Sequence, residues 1–207
     1  MRFKDLLTAY GAQMNSDISS HLTTIYEETY KMNPKCIVEL GVRGGESSKA
    51  FHFVNEEIDS SILGVDIEDC PYEGIIKNGK FVKCDDCVFA DIYKTLNGAN
   101  IDVLMIDTSH LYEHTKEEIR LWFPLLRKKA LVIFHDTHID GTGYLRKNGT
   151  RGENWNNHRG VIRAIEEYFG KTYNETQDFS DQFEKDGTLW KIQHEYICNG
   201  LTLCWKN

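Results

Sequence analysis

Proline is scarce in this sequence, with three in 207 residues. No proline-rich or serine-glycine linker, internal repeat or low-complexity tract divides the chain, so one domain is expected across residues 1–207. Long apolar runs are lacking too. None approaches the roughly 18 to 20 residues of a membrane span, which sets aside a membrane partner. The opening "MRFKDLLTAYGAQ" has an early charge but no apolar core or small-residue cleavage site, unlike a secretory leader, and a cytoplasmic location is the expectation. Excess positive charge is absent as well. A formal net charge of −8 would repel nucleic-acid phosphates and favours a small-molecule partner. The six cysteines have no leader beside them, so reduced thiols are expected rather than disulfides. The "CDDC" of Cys84 to Cys87 has no second pair to complete a zinc knuckle. A thioredoxin-like pair would open a helix, whereas this one closes a strand, and ordinary loop or buried cysteines are the plainer reading.

What remains is a globular composition, 41% hydrophobic and 12% aromatic, with strand and helix signals in alternation. Residues 1–33 read as an N-terminal helical segment, in which Ile18, Leu22, Ile25 and Tyr26 recur at helical spacing behind a possible Asp17 cap. Strands are expected at "CIVEL" (36–40), "ILGVDIE" (62–68), "KFVKCDD" (80–86), "IDVLMID" (101–107) and "ALVIFHD" (130–136). Helices are expected at "SSKAFHFVNEEI", at 114–128 with a break near Pro124, and at 161–170. Several strands are continuously apolar, as parallel strands covered on both faces should be. Trp122, Phe123, Tyr168 and Phe169 read as core. The end of the chain suggests an antiparallel hairpin turning at Asn199-Gly200. Residues 139–160 are polar and glycine-rich, a length that suits an active-site loop or lid.

In an open α/β sheet, ligands bind beyond the carboxyl ends of the strands. Here every such end carries a carboxylate: Glu39, Asp66, Asp85 with Asp86, Asp107 and Asp136. The first strand runs into Gly41, Gly44 and Gly45, which allow a tight turn and close approach to a ligand. Glu39, two residues before the first glycine, would repel a pyrophosphate but suits an ammonium or sulfonium group. Asp66 sits where an acid can accept two ribose hydroxyls.

With these motifs the sequence resembles the class I S-adenosylmethionine-dependent methyltransferases, from about residue 35 onward. The resemblance implies a Rossmann-like, doubly wound, mostly parallel seven-stranded sheet with a C-terminal antiparallel hairpin. It implies S-adenosyl-L-methionine as cofactor, held by Glu39, Gly41, Gly44, Gly45 and Asp66, with Asp85 near the adenine. "MIDTSHLYEHTKEEIRLWFPLLRKKALVIFHDTH" is similar to the metal-dependent sugar O-methyltransferases and cephalosporin hydroxylase-like proteins. Those pair Asp-x-x-His after the fourth strand with two metal ligands after the fifth. Asp107 and His110 match the first element; His135 and Asp136 occupy the second, with His135 departing from the more familiar carboxylate.

Asp107 and Asp136 end neighbouring strands and could share one divalent cation, with His135 as a third ligand. Oxygen ligands suit Mg²⁺, and an imidazole moves the preference toward Mn²⁺ or Fe²⁺. His110 stands as general base or as support for the metal ligands. The alternative for the two aspartates is loop capping, and for His138 and His158 a loop hydrogen bond. Tyr112, His138, Trp155 and Arg159 are candidates for the acceptor pocket. Arg146, Lys147, Arg151 and Arg159 could receive an anionic group. The expected activity is metal-assisted O-methylation of a polar small molecule, a sugar or a phosphorylated or nucleotide-linked sugar, with a homo-oligomer allowed. The alternative is a protein of the same fold that binds cofactor or metal and performs hydrolysis, oxygenation or no transfer.

Overall fold

A computed structural model describes residues 3–70 and 79–207, leaving residues 1 and 2 of the N-terminal segment outside the described residues. Two N-terminal helices, α1 (Phe3–Gln13) and α2 (Leu22–Met32), precede alternating strands and helices. In order these are β1 (Cys36–Leu40), α3 (Ser48–Glu57), β2 (Ser61–Asp66), β3 (Gly79–Lys83), α4 (Asp86–Asn97), β4 (Ile101–Ile106), α5 (Tyr112–Trp122) and β5 (Leu126–His135). A short hairpin of β6 (Tyr144–Leu145) and β7 (Arg151–Gly152) leads to α6 (Gly160–Phe169). The chain closes with β8 (Phe179–Lys185), β9 (Thr188–Glu195) and β10 (Leu201–Lys206).

The main sheet runs β3-β2-β1-β4-β5-β10-β9-β8. Its first five strands are parallel, and β10, β9 and β8 follow antiparallel. The doubly wound sheet and its antiparallel end match the sequence expectation, but the count is eight strands, not seven. The additional strand is β8, an edge strand whose residues alternate between half-exposed and exposed, so no apolar run marks it. Its turn into β9 is Asp186-Gly187, both at positive φ, the geometry a two-residue hairpin requires.

Successive residues of a strand point to opposite faces, and the apolar strands cover both. Ile37, Val103, Met105, Leu131 and Ile133 cluster with Leu7, Leu22, Ile25, Phe51 and Val54 of α1–α3. Val38, Leu40, Leu104, Ile106, Val132 and Phe134 cluster with Phe89, Tyr93, Trp122, Ile162 and Ile165 of α4–α6. The result is three layers with the helices on both faces. Trp122, Phe123 and Phe169 lie in that core as expected.

Two local expectations shift. The helix expected over 114–128 ends at Trp122; Pro124 sits in a 3-10 turn, and β5 begins at Leu126. The Cys84–Cys87 segment does open a helix: Asp85 is the N-cap of α4, its carboxylate accepting from the Val88 amide at 3.1 Å. No disulfide is formed among the described residues. The 139–160 segment is less loose than its composition suggests. It folds into the β6–β7 hairpin, and Arg146, 6% exposed, donates to the carbonyls of Asn15 and Ser16. No described helix is long and apolar enough to cross a membrane.

Candidate active site

The chain reverses its winding direction between β1 and β4, and the strand ends there form the cleft. Gly41 closes that point. Its amide donates to the Val65 carbonyl at 2.9 Å, and the Asp107 amide donates to Leu40 at 2.9 Å. At φ 81°, a side chain on residue 41 would run into the Asp107 carbonyl. The glycine is therefore required by the packing of β1 against β4. Gly45 also has positive φ, whereas a Cβ on Gly44 would meet nothing within 4 Å.

The turn after β1 is held by the two acids expected to bind cofactor. Glu39, fully buried, accepts the hydroxyls of Ser47 and Ser48 at 2.5 and 2.6 Å. Burial pushes its carboxyl up to about 7, against the pull of the two serines. Asp66 Oδ2 accepts the Val42 and Arg43 amides, both at 2.8 Å, and Oδ1 accepts the Glu68 amide at 2.9 Å. Asp66 thus ties the glycine-rich turn to β2 and places a carboxylate at its rim. Asp85 is exposed at the start of α4, occupied as a helix cap.

The β4 and β5 ends carry the second half. Asp107, His135 and Asp136 present ligand atoms within 4.8 Å of one another. His135 Nδ1 is 3.3 Å from Asp107 Oδ1 and 3.2 Å from Asp136 Oδ2. Its other nitrogen, Nε2, is 3.2 Å from the Cys198 carbonyl, which can only accept. The ring proton of the neutral form therefore sits on Nε2, and the Nδ1 lone pair points at two carboxylates. That arrangement repels unless a proton or a metal cation lies between them. His110 Nε2 contacts the same carboxylates, 3.2 Å from Asp107 Oδ1 and 2.9 Å from Asp136 Oδ2.

The charges respond as expected. Burial works against a charged imidazole, but hydrogen bonds to Asp107 and Asp136 outweigh it and push His110 up to about 10. His135 is likewise raised well above its ordinary range, despite burial, by the charges of Asp136 and Asp107. Asp136 is held far below the carboxylate range: burial opposes this, and the charge of His135 and the contact with His110 overcome it. Yet Asp136 Oδ1 is shut from solvent with no hydrogen-bond partner. A buried carboxylate oxygen left unmet, beside an imidazole already oriented by a carbonyl, fits a cation site.

Both His110 and Asp136 adopt left-handed backbone conformations, uncommon for non-glycine residues. Asn157 clamps the pair, its Nδ2 lying 3.3 Å from each of their carbonyls. Sequence reasoning passed over Asn157, and also His21, which is fully buried and packs edge-on to His135 at 5.7 Å. Neither carries a local signature, because both reach the site through tertiary convergence.

Of the acceptor-pocket candidates, Trp155 joins this group; the residue is 47% exposed and its ring stacks on His110 at 6.1 Å. The others have different partners. The Tyr112 hydroxyl donates to Glu167 on α6, and Arg163 lies over its ring. Arg159 pairs with Glu166 and Glu175. His138 faces the Tyr196 carbonyl and Asp140. Among the basic residues of 139–160, Arg146 is spent on the N-terminal segment, and Lys147 lies 3.5 Å from Glu195.

Residues 38–137 match a family model described as a methyltransferase domain. A curated relative, an "uncharacterized protein" of Sinorhizobium fredii, is 23% identical over 131 residues; the match covers 56% of this chain and 14% of the relative's length. Among solved structures, the O-methyltransferase from Bacillus cereus in complex with SAH superposes with a TM-score of 0.61 at 11% identity, covering 99% of this chain and 90% of that one. The MycE methyltransferase of the mycinamycin pathway, in complex with Mg, SAH and mycinamycin VI, gives 0.54 at 16% identity, covering 91% and 54%. A TDP-rhamnose 3'-O-methyltransferase of calicheamicin biosynthesis gives 0.51 at 17% identity, covering 81% and 84%. At such identities the likeness is one of fold.

Proposed function

We propose, from the match of residues 38–137 to a methyltransferase-domain model, that the chain transfers a methyl group from S-adenosylmethionine to a hydroxyl of a polar small molecule, a sugar or nucleotide-linked sugar, with a divalent cation held by Asp107, His135 and Asp136. The observation that carries the cation is the unpartnered Asp136 Oδ1 beside an imidazole whose Nδ1 faces two carboxylates. The sugar reading draws on fold neighbours whose names include a nucleotide-sugar methyltransferase and a complex with mycinamycin VI. Trp155 adds an exposed aromatic face next to His110 on which a sugar ring can lie.

Each residue then has a task. The turn from Gly41 to Gly45, fixed by Asp66 and Glu39, brings backbone close to the adenosyl cofactor, and Asp66 offers its remaining lone pairs to the ribose hydroxyls. Asp107 and Asp136 would hold the cation together with His135, which the Cys198 carbonyl orients. When bound, the cation lowers the pKa of the acceptor hydroxyl. One nitrogen and two carboxylates admit Mn²⁺ or Fe²⁺ alongside Mg²⁺. His110, in contact with both carboxylates, would take the acceptor proton. With both carboxylates uncompensated it is already protonated and cannot be a base, so this role requires the cation's charge in the site.

The test is methyl transfer from labelled cofactor to a panel of sugars and nucleotide sugars, with and without chelator. Transfer that stops on chelation and returns with Mg²⁺ or Mn²⁺ is the expected result. Full transfer by the chelated protein would remove the cation from the mechanism. Calorimetry showing no binding of S-adenosylmethionine or its demethylated product would overturn the whole reading.

A further inference from the structure

A second group of ligand atoms lies where the start of α4 meets the first turns of α5. Asp86 and Cys87 come from α4, while His114 and Glu118, four residues apart, share one face of α5. His114 Nε2 is 3.0 Å from Asp86 Oδ1 and 3.6 Å from Glu118 Oε1, and Cys87 Sγ is 3.7 Å from Asp86 Oδ2. A tetrahedral ion bonded to nitrogen, oxygen and sulfur at zinc distances holds such atoms roughly 3.3 to 3.5 Å apart. The measured separations scatter around that range.

Burial supplies an independent observation. The Glu118 side chain is 0% exposed and that of Asp86 is 7% exposed. Glu118 Oε1 accepts the Thr108 hydroxyl at 2.7 Å, but Oε2 is shut from solvent and has no hydrogen-bond partner. Among the described residues, neither Asp86 nor Glu118 has a lysine or arginine within ion-pair distance; His114 alone faces both. A plain Asp86–His114 pair would account for His114. With the Cys87 thiol donating to Asp86 it accounts for the sulfur as well, but it leaves the Glu118 oxygen unmet. Asp86, Cys87 and His114 present ligand atoms within 4.8 Å of one another, and the buried Glu118 carboxyl with its unmet oxygen lies beside His114, a mixed donor set suited to a cation.

We propose that Asp86, Cys87, His114 and Glu118 form a second cation site, one that takes zinc or a similar first-row divalent ion and pins α4 to α5. The ion bonds the Cys87 sulfur in place of its proton, which passes to solvent, and the Nε2 lone pair of His114 supplies the nitrogen donor. His114, with its side chain 27% exposed, and half-buried Cys87 open the site to entry. The mixed sulfur, nitrogen and oxygen set selects a borderline ion over Mg²⁺. The methyl-transfer proposal is not needed for this site to exist.

Sulfur makes the test specific, because Asp107, His135 and Asp136 offer none. Cobalt(II) is added to the full chain after chelation, and the near-ultraviolet thiolate-to-cobalt charge-transfer band is recorded. The band is expected in the native protein and in Cys84→Ser. It should vanish in Cys87→Ser, and His114→Ala should weaken cobalt binding by at least about tenfold. Far-ultraviolet circular dichroism checks that each variant is folded. Zinc should also raise the melting temperature of the native protein more than that of Cys87→Ser. A native protein without the thiolate band at saturating cobalt, or a Cys87→Ser variant that keeps it, would overturn the proposal.

Discussion

On the β1–β2 side of the cleft, the carboxylate oxygens of Glu39 and Asp66 are all met by serine hydroxyls or backbone amides. On the β4–β5 side, Asp136 keeps a buried oxygen without a partner, and two carboxylates crowd two imidazoles. The first half is complete as a piece of protein architecture and would hold its shape whether or not cofactor is bound. The second has its electrostatics unfinished, and a cation would finish them. Preorganisation and charge demand are thus divided between adjacent strand ends.

The strongest way to break this contrast is Asp136→Asn, which keeps the shape and removes the charge. Cation binding should be lost and turnover should fall by more than about 10²-fold, while calorimetric affinity for the adenosyl cofactor stays near native. Equal loss at both halves would show that they are one unit. Next in size is a paired substitution in the glycine turn. Gly41→Ala should cost about 2 to 4 kcal/mol in denaturant unfolding, because positive φ and the Asp107 carbonyl both oppose a side chain. Gly44→Ala, with open space around it, should stay within about 0.5 kcal/mol.

The metal-free protein should also show its unfinished half in a pH profile. His110 is held up at about 10 in the fold, by contacts that outweigh burial, against about 6.5 when unfolded. Folding therefore binds a proton more tightly. The stabilisation is full below about pH 6.5 and is lost as pH rises through about 10. Melting temperatures of chelated protein should fall across that window, and the fall should be shallower in His110→Asn and with cation bound. An identical slope in His110→Asn would mean that other groups carry the dependence. A small effect is expected at Glu39, whose carboxyl is raised to about 7 by burial. Here ionisation costs the fold as pH rises from the unfolded value of about 4.3 through 7. At pH 8, Glu39→Gln should be neutral or raise stability by about 1 kcal/mol, and a large loss would show that the ionised form anchors the turn.

Most of the strands that build the cleft were legible because they are largely buried on both faces and read as mainly apolar runs with an acid at or just beyond the end. β8 was not, since an edge strand alternates without a hydrophobic stripe and only Asp186-Gly187 announces its hairpin. Asp107, His135 and Asp136 were legible as strand-end residues, His110 joined them only through the Asp-x-x-His resemblance, and the structure brings all four together. Tyr112 and Arg159 sit near the correct elements in sequence, yet their side chains turn toward α6 and the segment after it, a direction that position does not disclose. Asn157 and His21 offered no pattern, because what they do depends on segments far away in the chain.

The carbonyl that orients His135 belongs to Cys198, 63 residues further along the chain. His21 reaches still further, to Ile197, 176 residues away. Both contacts need residues late in the sequence, which are synthesised after the parallel strands. The stretch between β9 and β10 is thus what aims His135, the residue proposed to hold the cation. During synthesis the chain can assemble its glycine turn and parallel strands while His135 still swings unaimed. Acquisition of cation affinity would then mark the moment at which folding is complete.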